Sequence, residues 1–361
     1  MAKIKVLIID DSALIRALLT EIINQTNDLE VIGTARDPLI AREKIRALNP
    51  DVITLDIEMP RMDGIEFLEK LMRLHPLPVL MISTHTEQGS AATLRALELG
   101  AVDFIAKPKV DIQNKLETYA NLITEKIRTA ALANVRPLHG ASLKKPAIKP
   151  QNLIQLGALE LKSSAKIINL ETLIVIGAST GGTEAIKEVL IDMPADSPPI
   201  LVVQHMPEGF TKSYAARLNS LCNIAVNEAI HGEPLRAGHA YLAPGGYHLS
   251  VIAAGKQFIC QISQDDLVNH HRPSVDVLFN SVAKLTKCNV IGVLLTGMGK
   301  DGAVGLKKLH DLGAKTYAQD EASCVVFGMP KEAIACGAID EVLPIDEIAG
   351  SILMHLGNHF T

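Results

Sequence analysis

Several side chains capable of chemistry fall where short apolar runs end in the first third of the chain. Asp10 and Asp11 close the run that begins at Val6, and Asp56 closes Val52–Asp56. Ser83 closes Val79–Ser83, and Lys107 follows Val102–Ala106. Carboxylates gathered at one rim repel one another unless a cation neutralises them, and oxygen donors alone suit a hard divalent ion such as Mg²⁺. Such an ion keeps some of its waters and can also hold a phosphoryl oxygen. Lys107 and Ser83 can hold two more, which leaves Asp56 as the nucleophile that accepts the phosphoryl group as an aspartyl phosphate. Any one of these aspartates alone is more commonly a capping residue. Their recurrence at strand ends in one repeating pattern points to a pocket.

A second set lies beyond residue 170. Leu173–Ala178 is an apolar run that breaks into Gly177-Ala-Ser179-Thr-Gly181-Gly182, a turn that exposes a serine ahead of a helix start. Unpaired helix N–H groups there favour an oxyanion. A hydroxyl needs a base, and His205 directly follows the next run, Ile200–Gln204. Asp301, in Thr296-Gly-Met-Gly-Lys-Asp-Gly302, follows another buried-type run and can orient an imidazole. Each has a plainer reading: an anion loop or N-cap for Ser179, a loop histidine for His205, a helix cap for Asp301. Gly297-x-Gly299-x-x-Gly302, with Asp320 about 20 residues on, also fits a dinucleotide fingerprint. That reading sets a carboxylate beside a pyrophosphate and leaves Ser179 and His205 without roles.

The elements that must position these groups alternate in both halves. Runs at Val6–Asp10, Val31–Ala35, Val52–Asp56, Val79–Ser83 and Val102–Ala106 are separated by segments of helical period, such as Leu14, Ile15, Leu18, Leu19, Ile22 and Ile23 after Ser12. The fold class expected is α/β, with two doubly wound parallel-sheet domains. The first, flavodoxin-like, spans 1–125. A helix over about 113–133 leads into a stretch without periodicity that carries Pro137, Pro146 and Pro150. The linker is therefore set at 126–170 and the second domain at 171–361. Short alternating runs between Ala240 and Ile262, with Gly245–Gly246, suggest a β-hairpin insertion.

Composition narrows the function. At 361 residues, 48% hydrophobic and 21% charged, the chain can bury two cores. With 3% aromatics and no Trp it lacks a base-stacking platform, and a net charge of −5 offers no basic face for duplex DNA, so no nucleic-acid partner is expected. Five cysteines without a Cys-x-x-Cys pair fit free thiols in a reducing compartment. Neither a signal-peptide core nor a long apolar run is evident, so a cytoplasmic location without membrane insertion is expected.

On these residues the first domain resembles the receiver domain of two-component response regulators. The matching pieces are Asp10-Asp11-Ser12, Asp56 with Met59-Pro60 and Asp63-Gly64, Ser83, and Lys107-Pro108. The resemblance implies phosphorylation of Asp56 by a histidine kinase. It also implies Mg²⁺ held by Asp11, Asp56, the Glu58 carbonyl and, through water, Asp10. Phe104 falls at the position of the family's rotamer-switching aromatic, where plain core packing is the other reading. The second domain resembles the catalytic domain of the chemotaxis protein-glutamate methylesterases, through Gly177–Gly182, Gln204-His-Met-Pro207, His271-Arg-Pro-Ser-Val-Asp276 and Thr296–Gly302. It implies Ser179 as nucleophile, His205 as base, Asp301 as its orienting acid, Thr180 in the site and the Met298 amide in an oxyanion hole. His271 and Arg272 would line the pocket or serve structure alone. The implied substrates are methylated glutamates, and glutamines, on methyl-accepting chemotaxis receptors, hydrolysed without a metal. A receiver joined to a dinucleotide enzyme, or to a non-catalytic binding output, are the other function classes.

Overall fold

The computed structural model describes residues 2–59, 62–83, 87–107, 116–137, 172–255, 257–286 and 288–359. The apolar runs of the first unit become β1 (Ile4–Ile9), β2 (Leu29–Ala35), β3 (Val52–Asp56), β4 (Val79–Ser83) and β5 (Asp103–Ala106). They form one parallel sheet in the order β2-β1-β3-β4-β5. Helices α1 (Ala13–Asn24), α2 (Pro38–Leu48), α3 (Gly64–Leu74), α4 (Glu87–Glu98) and α5 (Leu116–Ala131) alternate with the strands. Local chemistry starts them. The Ser12 hydroxyl accepts from the Ile15 amide, Asp37 accepts from the Leu39 and Ile40 amides ahead of Pro38, and Asp63 accepts from the Glu66 amide. Alternate residues of β1 and β3 then serve opposite faces. Val6, Ile8 and Val52 meet Leu19 and Ile23 of α1 and Ile123 and Ile127 of α5. Leu7, Ile9, Ile53 and Leu55 meet Ala41 of α2, Leu68 of α3 and Leu94 of α4.

The strand order reverses between β1 and β3, and ligands of such sheets sit at that reversal, beyond the carboxyl ends. Asp10, Asp11 and Asp56 lie there. α5 continues to Ala131, past the boundary at 125, because Ile127 and Ala130 are still buried against the sheet. Residues after it lie along the second unit, where the Asn134 amide donates to the Val325 carbonyl at 2.9 Å. The rest of the expected linker, 138–170, lies outside the described residues, as do Pro60 and Pro108.

The second unit contains β6 (Thr172–Ala178), α6 (Gly182–Ile191), β7 (Ile200–Gln204), α7 (Thr211–Leu221), β8 (Ala225–Glu228) and β9 (His239–Leu242). It continues with β10 (His248–Ala254), β11 (Gln257–Ser263), α8 (Val275–Val282), β12 (Asn289–Leu294), α9 (Ala303–Asp311), β13 (Lys315–Gln319), α10 (Met329–Ala335), β14 (Glu341–Leu343) and α11 (Ile345–His359). Seven strands pair in parallel in the order β14-β13-β12-β6-β7-β9-β8. The central β6 is buried along its whole length. The chain leaves it toward β7 on one side and later returns to β12 on the other. That second reversal sets the ends of β6, β7 and β12 side by side.

The expected hairpin exists as the antiparallel pair β10-β11, a sheet of its own. Its turn follows Ala254 and does not fall at Gly245–Gly246. Gly245 answers a different need: a Cβ there would stand 2.5 Å from the Pro207 carbonyl and the Glu208 amide, so the loop after β7 can approach only glycine.

The two units touch along α4, β5 and α7. The rings of Phe104 and Phe210 are 4.5 Å apart, the Ser90 hydroxyl donates to the Gly209 carbonyl at 3.2 Å, and Arg217 pairs with Glu98. Apolar residues of both units join in one cluster across this contact. Among the described residues no helix is long and apolar enough to cross a membrane.

Candidate active site and phosphate-accepting pocket

In the first unit, carboxylate oxygens of Asp10, Asp11 and Asp56 all lie within 4.8 Å of one another. Asp10 and Asp56 are each 1% exposed. Lys107 Nζ lies 2.7 Å from Asp56 Oδ2 and 3.5 Å from Asp10 Oδ2, an ion-pair contact in which both oxygens still lack an aligned hydrogen-bond donor. Donors are few: the Ser12 amide serves Asp10 at 2.8 Å and the Glu58 amide reaches Asp56 Oδ1 at 3.4 Å. Burial pushes the Asp56 carboxyl up to about 6; Lys107 opposes this and the Asp10 charge adds to it. Burial likewise raises Asp10. Burial alone would lower Lys107, but Asp56 and Asp10 hold its ammonium above its usual range. Three carboxylates facing one ammonium form a donor-poor pocket, which fits a hard cation.

Ser83, at the end of β4, is tied to α4. The Thr93 hydroxyl donates to Ser83 Oγ at 2.6 Å, and Ser83 Oγ reaches the Gly89 carbonyl at 3.3 Å. Phe104, 5% exposed, lies against Phe210 of the second unit, so its packing is an inter-unit contact as well as core.

In the second unit, the reversal at β6 gathers the three expected groups. Ser179 leaves β6 with its amide donating to the Thr296 carbonyl at 3.0 Å. Gly181, with φ of 77°, then opens α6, a left-handed turn that favours glycine. Gly297 is needed for the same reason of space, since a Cβ there would lie 2.7 Å from that of Ser179. The His205 amide donates to the Ala178 carbonyl at 3.1 Å, which fixes the histidine beside the serine turn. Its Nε2 lies 2.8 Å from Asp301 Oδ2, while Nδ1 is buried with no hydrogen-bond partner. The bond to a carboxylate assigns the proton to Nε2 and leaves Nδ1 as an acceptor.

Asp301 is 1% exposed and receives five donors. Oδ1 accepts from Asn269 Nδ2 (2.7 Å), Ser274 Oγ (2.8 Å) and the Asp276 amide (3.2 Å). Oδ2 accepts from His205 Nε2 (2.8 Å) and the Val275 amide (2.7 Å). The capping role foreseen for Asp301 is therefore real, but the helix capped is α8, and the same carboxylate also holds the imidazole. Burial pushes its carboxyl up, and the His205 bond with the other donors outweighs burial, so the group stays well below the usual carboxylate range. His271 stacks on His205 with centroids 3.7 Å apart, and burial first, then the neighbouring imidazole, lower its pKa. Arg272 reaches the Gln264 and Asp265 carbonyls at 2.8 and 2.9 Å, which ties down its own loop.

Thr180, 5% exposed, donates its hydroxyl to Asp103 Oδ2 of the first unit at 2.6 Å, and Lys126 Nζ meets the same oxygen at 2.6 Å. The backbone amides of Thr180 and Met298 make no hydrogen bond among the described residues. Sequence reasoning missed Asp103, Asn269 and Ser274. It also missed Gln204, whose Nε2 holds the Ser179 carbonyl at 2.8 Å.

Comparison with known proteins decides what this pair of sites belongs to. Residues 6–117 match the response regulator receiver domain, and residues 174–352 match the CheB methylesterase family. A relative in Nitrosomonas europaea, named protein-glutamate methylesterase/protein-glutamine glutaminase, is 59% identical over 356 residues, covering 99% of this chain and 97% of its own. The chain belongs to the protein-glutamate methylesterase/protein-glutamine glutaminase family. Another relative, named protein-glutamate methylesterase/protein-glutamine glutaminase 1, from Geobacter metallireducens, is 57% identical and covers 96% of this chain and 94% of its own. The solved catalytic domain of CheB methylesterase from Thermotoga maritima is 42% identical, with a TM-score of 0.49, covering 50% of this chain and 97% of that one. In this methylesterase the parallel sheets and domain order read from sequence both hold, and the dinucleotide and binding-output readings fall away.

Proposed function

We propose that this methylesterase hydrolyses glutamyl methyl esters, and glutamine amides, on the cytoplasmic helices of chemotaxis receptors, through Ser179, His205 and Asp301. The observation that carries the reading is the His205 Nε2–Asp301 bond of 2.8 Å, which leaves a buried, unpartnered Nδ1 beside the serine turn. Ser179 attacks the ester carbonyl while His205 Nδ1 takes its proton, and the Asp301 carboxylate stabilises the imidazolium. The Thr180 and Met298 amides hold the oxyanion. The same nitrogen returns the proton to departing methanol, or to ammonia from an amide. Water, deprotonated by His205, then releases free glutamate and restores Ser179. His271, stacked on His205, stays neutral and walls the pocket.

The receiver sets access. Asp56 takes a phosphoryl group from a histidine kinase, and Asp10, Asp11, Asp56 and the Glu58 carbonyl would hold Mg²⁺. That ion would supply charge neutralisation for the incoming phosphoryl oxygens. Lys107 and Ser83 take up the remaining oxygens. Two routes lead from there to the esterase. Ser83 is wired through Thr93 to α4, which touches Gly209 and Arg217. Lys107 directly follows β5, and four residues back Asp103, at the start of that strand, engages Thr180. In the unphosphorylated state the Asp103 carboxylate occupies the hydroxyl beside the nucleophile and α4 covers the entrance. Phosphorylation releases both. On this reading the enzyme acts in the cytoplasm, with receptors and a kinase as its protein partners.

Methanol release from methylated receptor membranes tests the chemistry directly. The whole chain should release methanol and Ser179→Ala should not; equal release by the two would remove Ser179 as nucleophile.

A further inference from the structure

Asp301 is surrounded by donors, and one of them stands apart. The Val275 and Asp276 amides belong to the first turn of α8, and Ser274 is its N-cap. Asn269 lies outside that helix, on the loop that also carries His271. Its Nδ2 donates both to Asp301 Oδ1 at 2.7 Å and to Asp276 Oδ2 at 2.8 Å. Asp276 is 6% exposed, and its other oxygen accepts from the Gly305 amide at 2.7 Å. One amide thus lies between two buried carboxylates and uses each hydrogen on one of them.

We propose that Asn269 is a positioning residue for the hydrolysis: its side-chain amide holds Asp301 Oδ1, so that Oδ2 stays directed at His205 Nε2, and keeps the two carboxylates apart. The inference rests on the reading of Ser179, His205 and Asp301 as the reacting set. Asn fits on two counts. Only an NH₂ group supplies two donors from one atom at this reach with no charge of its own. The backbone at Asn269 is left-handed, φ 52°, a region that asparagine tolerates better than most side chains. A cationic donor at this place would compete with the imidazolium for Asp301. A carboxylate would add a third negative group to Asp301 and Asp276.

The groups facing this network are known from each element around it. His205 follows β7, His270 and His271 share the loop with Asn269, Asp276 lies on α8, Asp301 precedes α9, and Lys126 comes from the receiver. Removing the Asn269 donor concentrates charge on Asp301 and strengthens its hold on the imidazolium. The acid limb of the kcat/KM profile, which reports the loss of neutral His205, therefore moves to higher pH.

The test uses the whole chain with Asp56 phosphorylated, on methylated receptor membranes, with three substitutions. Asn269→Gly keeps the left-handed backbone and removes the amide; it should lower kcat about 10- to 100-fold, the loss of a hydrogen bond to an ionised group, with KM unchanged and the acid limb shifted upward. Asn269→Ala should lose the same catalytic factor and some thermal stability as well. Asn269→Asp should be the slowest near pH 8 and recover toward the Asn269→Gly rate as pH falls, because its protonated carboxyl can donate again. A resonance readout separates this inference from the catalytic reading: the proton between His205 Nε2 and Asp301 should shift in Asn269→Gly even in a chain carrying Ser179→Ala. An Asn269→Gly enzyme with unchanged kcat, pH profile and His205 proton shift would overturn the proposal. If the proton shifts and kcat does not, Asn269 positions Asp301 but the hydrolysis does not depend on it, and the proposal likewise fails.

Discussion

Two buried aspartates lie at sheet reversals, Asp56 as the last residue of β3 and Asp301 in the loop after β12, each 1% exposed, yet their environments point in opposite directions. Asp56 has one ammonium, one distant amide and two acidic neighbours, and burial drives its carboxyl up to about 6. Asp301 has five donors and its carboxyl is held far down. The same side chain is left wanting a cation in one place and is saturated in the other. A donor-poor carboxylate can take on new chemistry. A donor-rich one can only hold a neighbour in place.

The largest expected effect breaks the saturated site. Asp301→Asn removes the acceptor for Nε2–H and favours the wrong imidazole tautomer, so kcat for methanol release should fall about 10⁴-fold. A fall of less than about tenfold would mean that His205 is held by other groups. The donor-poor site should fail differently. Asp56→Asn should leave basal hydrolysis intact and abolish the acceleration produced by a small phosphodonor. Chelation of divalent cations should do the same to the native chain, because the cation serves Asp56 and not Ser179. Loss of unphosphorylated hydrolysis on chelation would contradict the separation of the two sites.

A smaller effect concerns the contact between them. Asp103→Ala removes the acceptor for the Thr180 hydroxyl and should raise basal hydrolysis about tenfold, the scale of one charge-assisted hydrogen bond, with little change in the phosphorylated rate. An unchanged basal rate would mean that α4, and not Asp103, does the covering. The smallest effect is on stability. Because the folded Asp301 carboxyl lies below its unfolded value of 3.8, the unfolded chain binds the proton first, and stability falls as pH drops below that value. The melting temperature of the native catalytic unit should therefore fall more between pH 5 and pH 3 than that of Asp301→Asn.

Much of this was legible in the chain because strand ends carry information. Asp10, Asp56 and Lys107, like Ser179, His205 and Asp301, each follow an apolar run, and parallel strands bring such ends to one rim. What escaped depends on contacts with no local signature. Asp103 meets Thr180 across 77 positions and between two units, so nothing near Asp103 announces it. Asn269 looks like an ordinary loop polar residue until the fold sets two carboxylates around it. Gly245–Gly246 does form a turn, with the Tyr247 amide donating to the Pro244 carbonyl at 3.2 Å, but it joins β9 to β10 and does not close the hairpin, and Gly245 is also required by the approach of the Pro207 backbone. The helix over 113–133 matches α5, but the domain boundary at 125 cuts through it, because the charged residues around 125–128 mask the buried Ile127 and Ala130 that tie its last turns to the receiver sheet.

The central claim is that the Asp56 phosphate governs access to Ser179. It is tested most directly by the rate of methanol release from methylated receptor membranes, measured for the whole chain before and after phosphorylation and for a chain lacking residues 1–137. The account predicts slow release from the unphosphorylated whole chain, and faster release both on phosphorylation and on removal of the receiver. A truncated chain no faster than the unphosphorylated whole chain would contradict it.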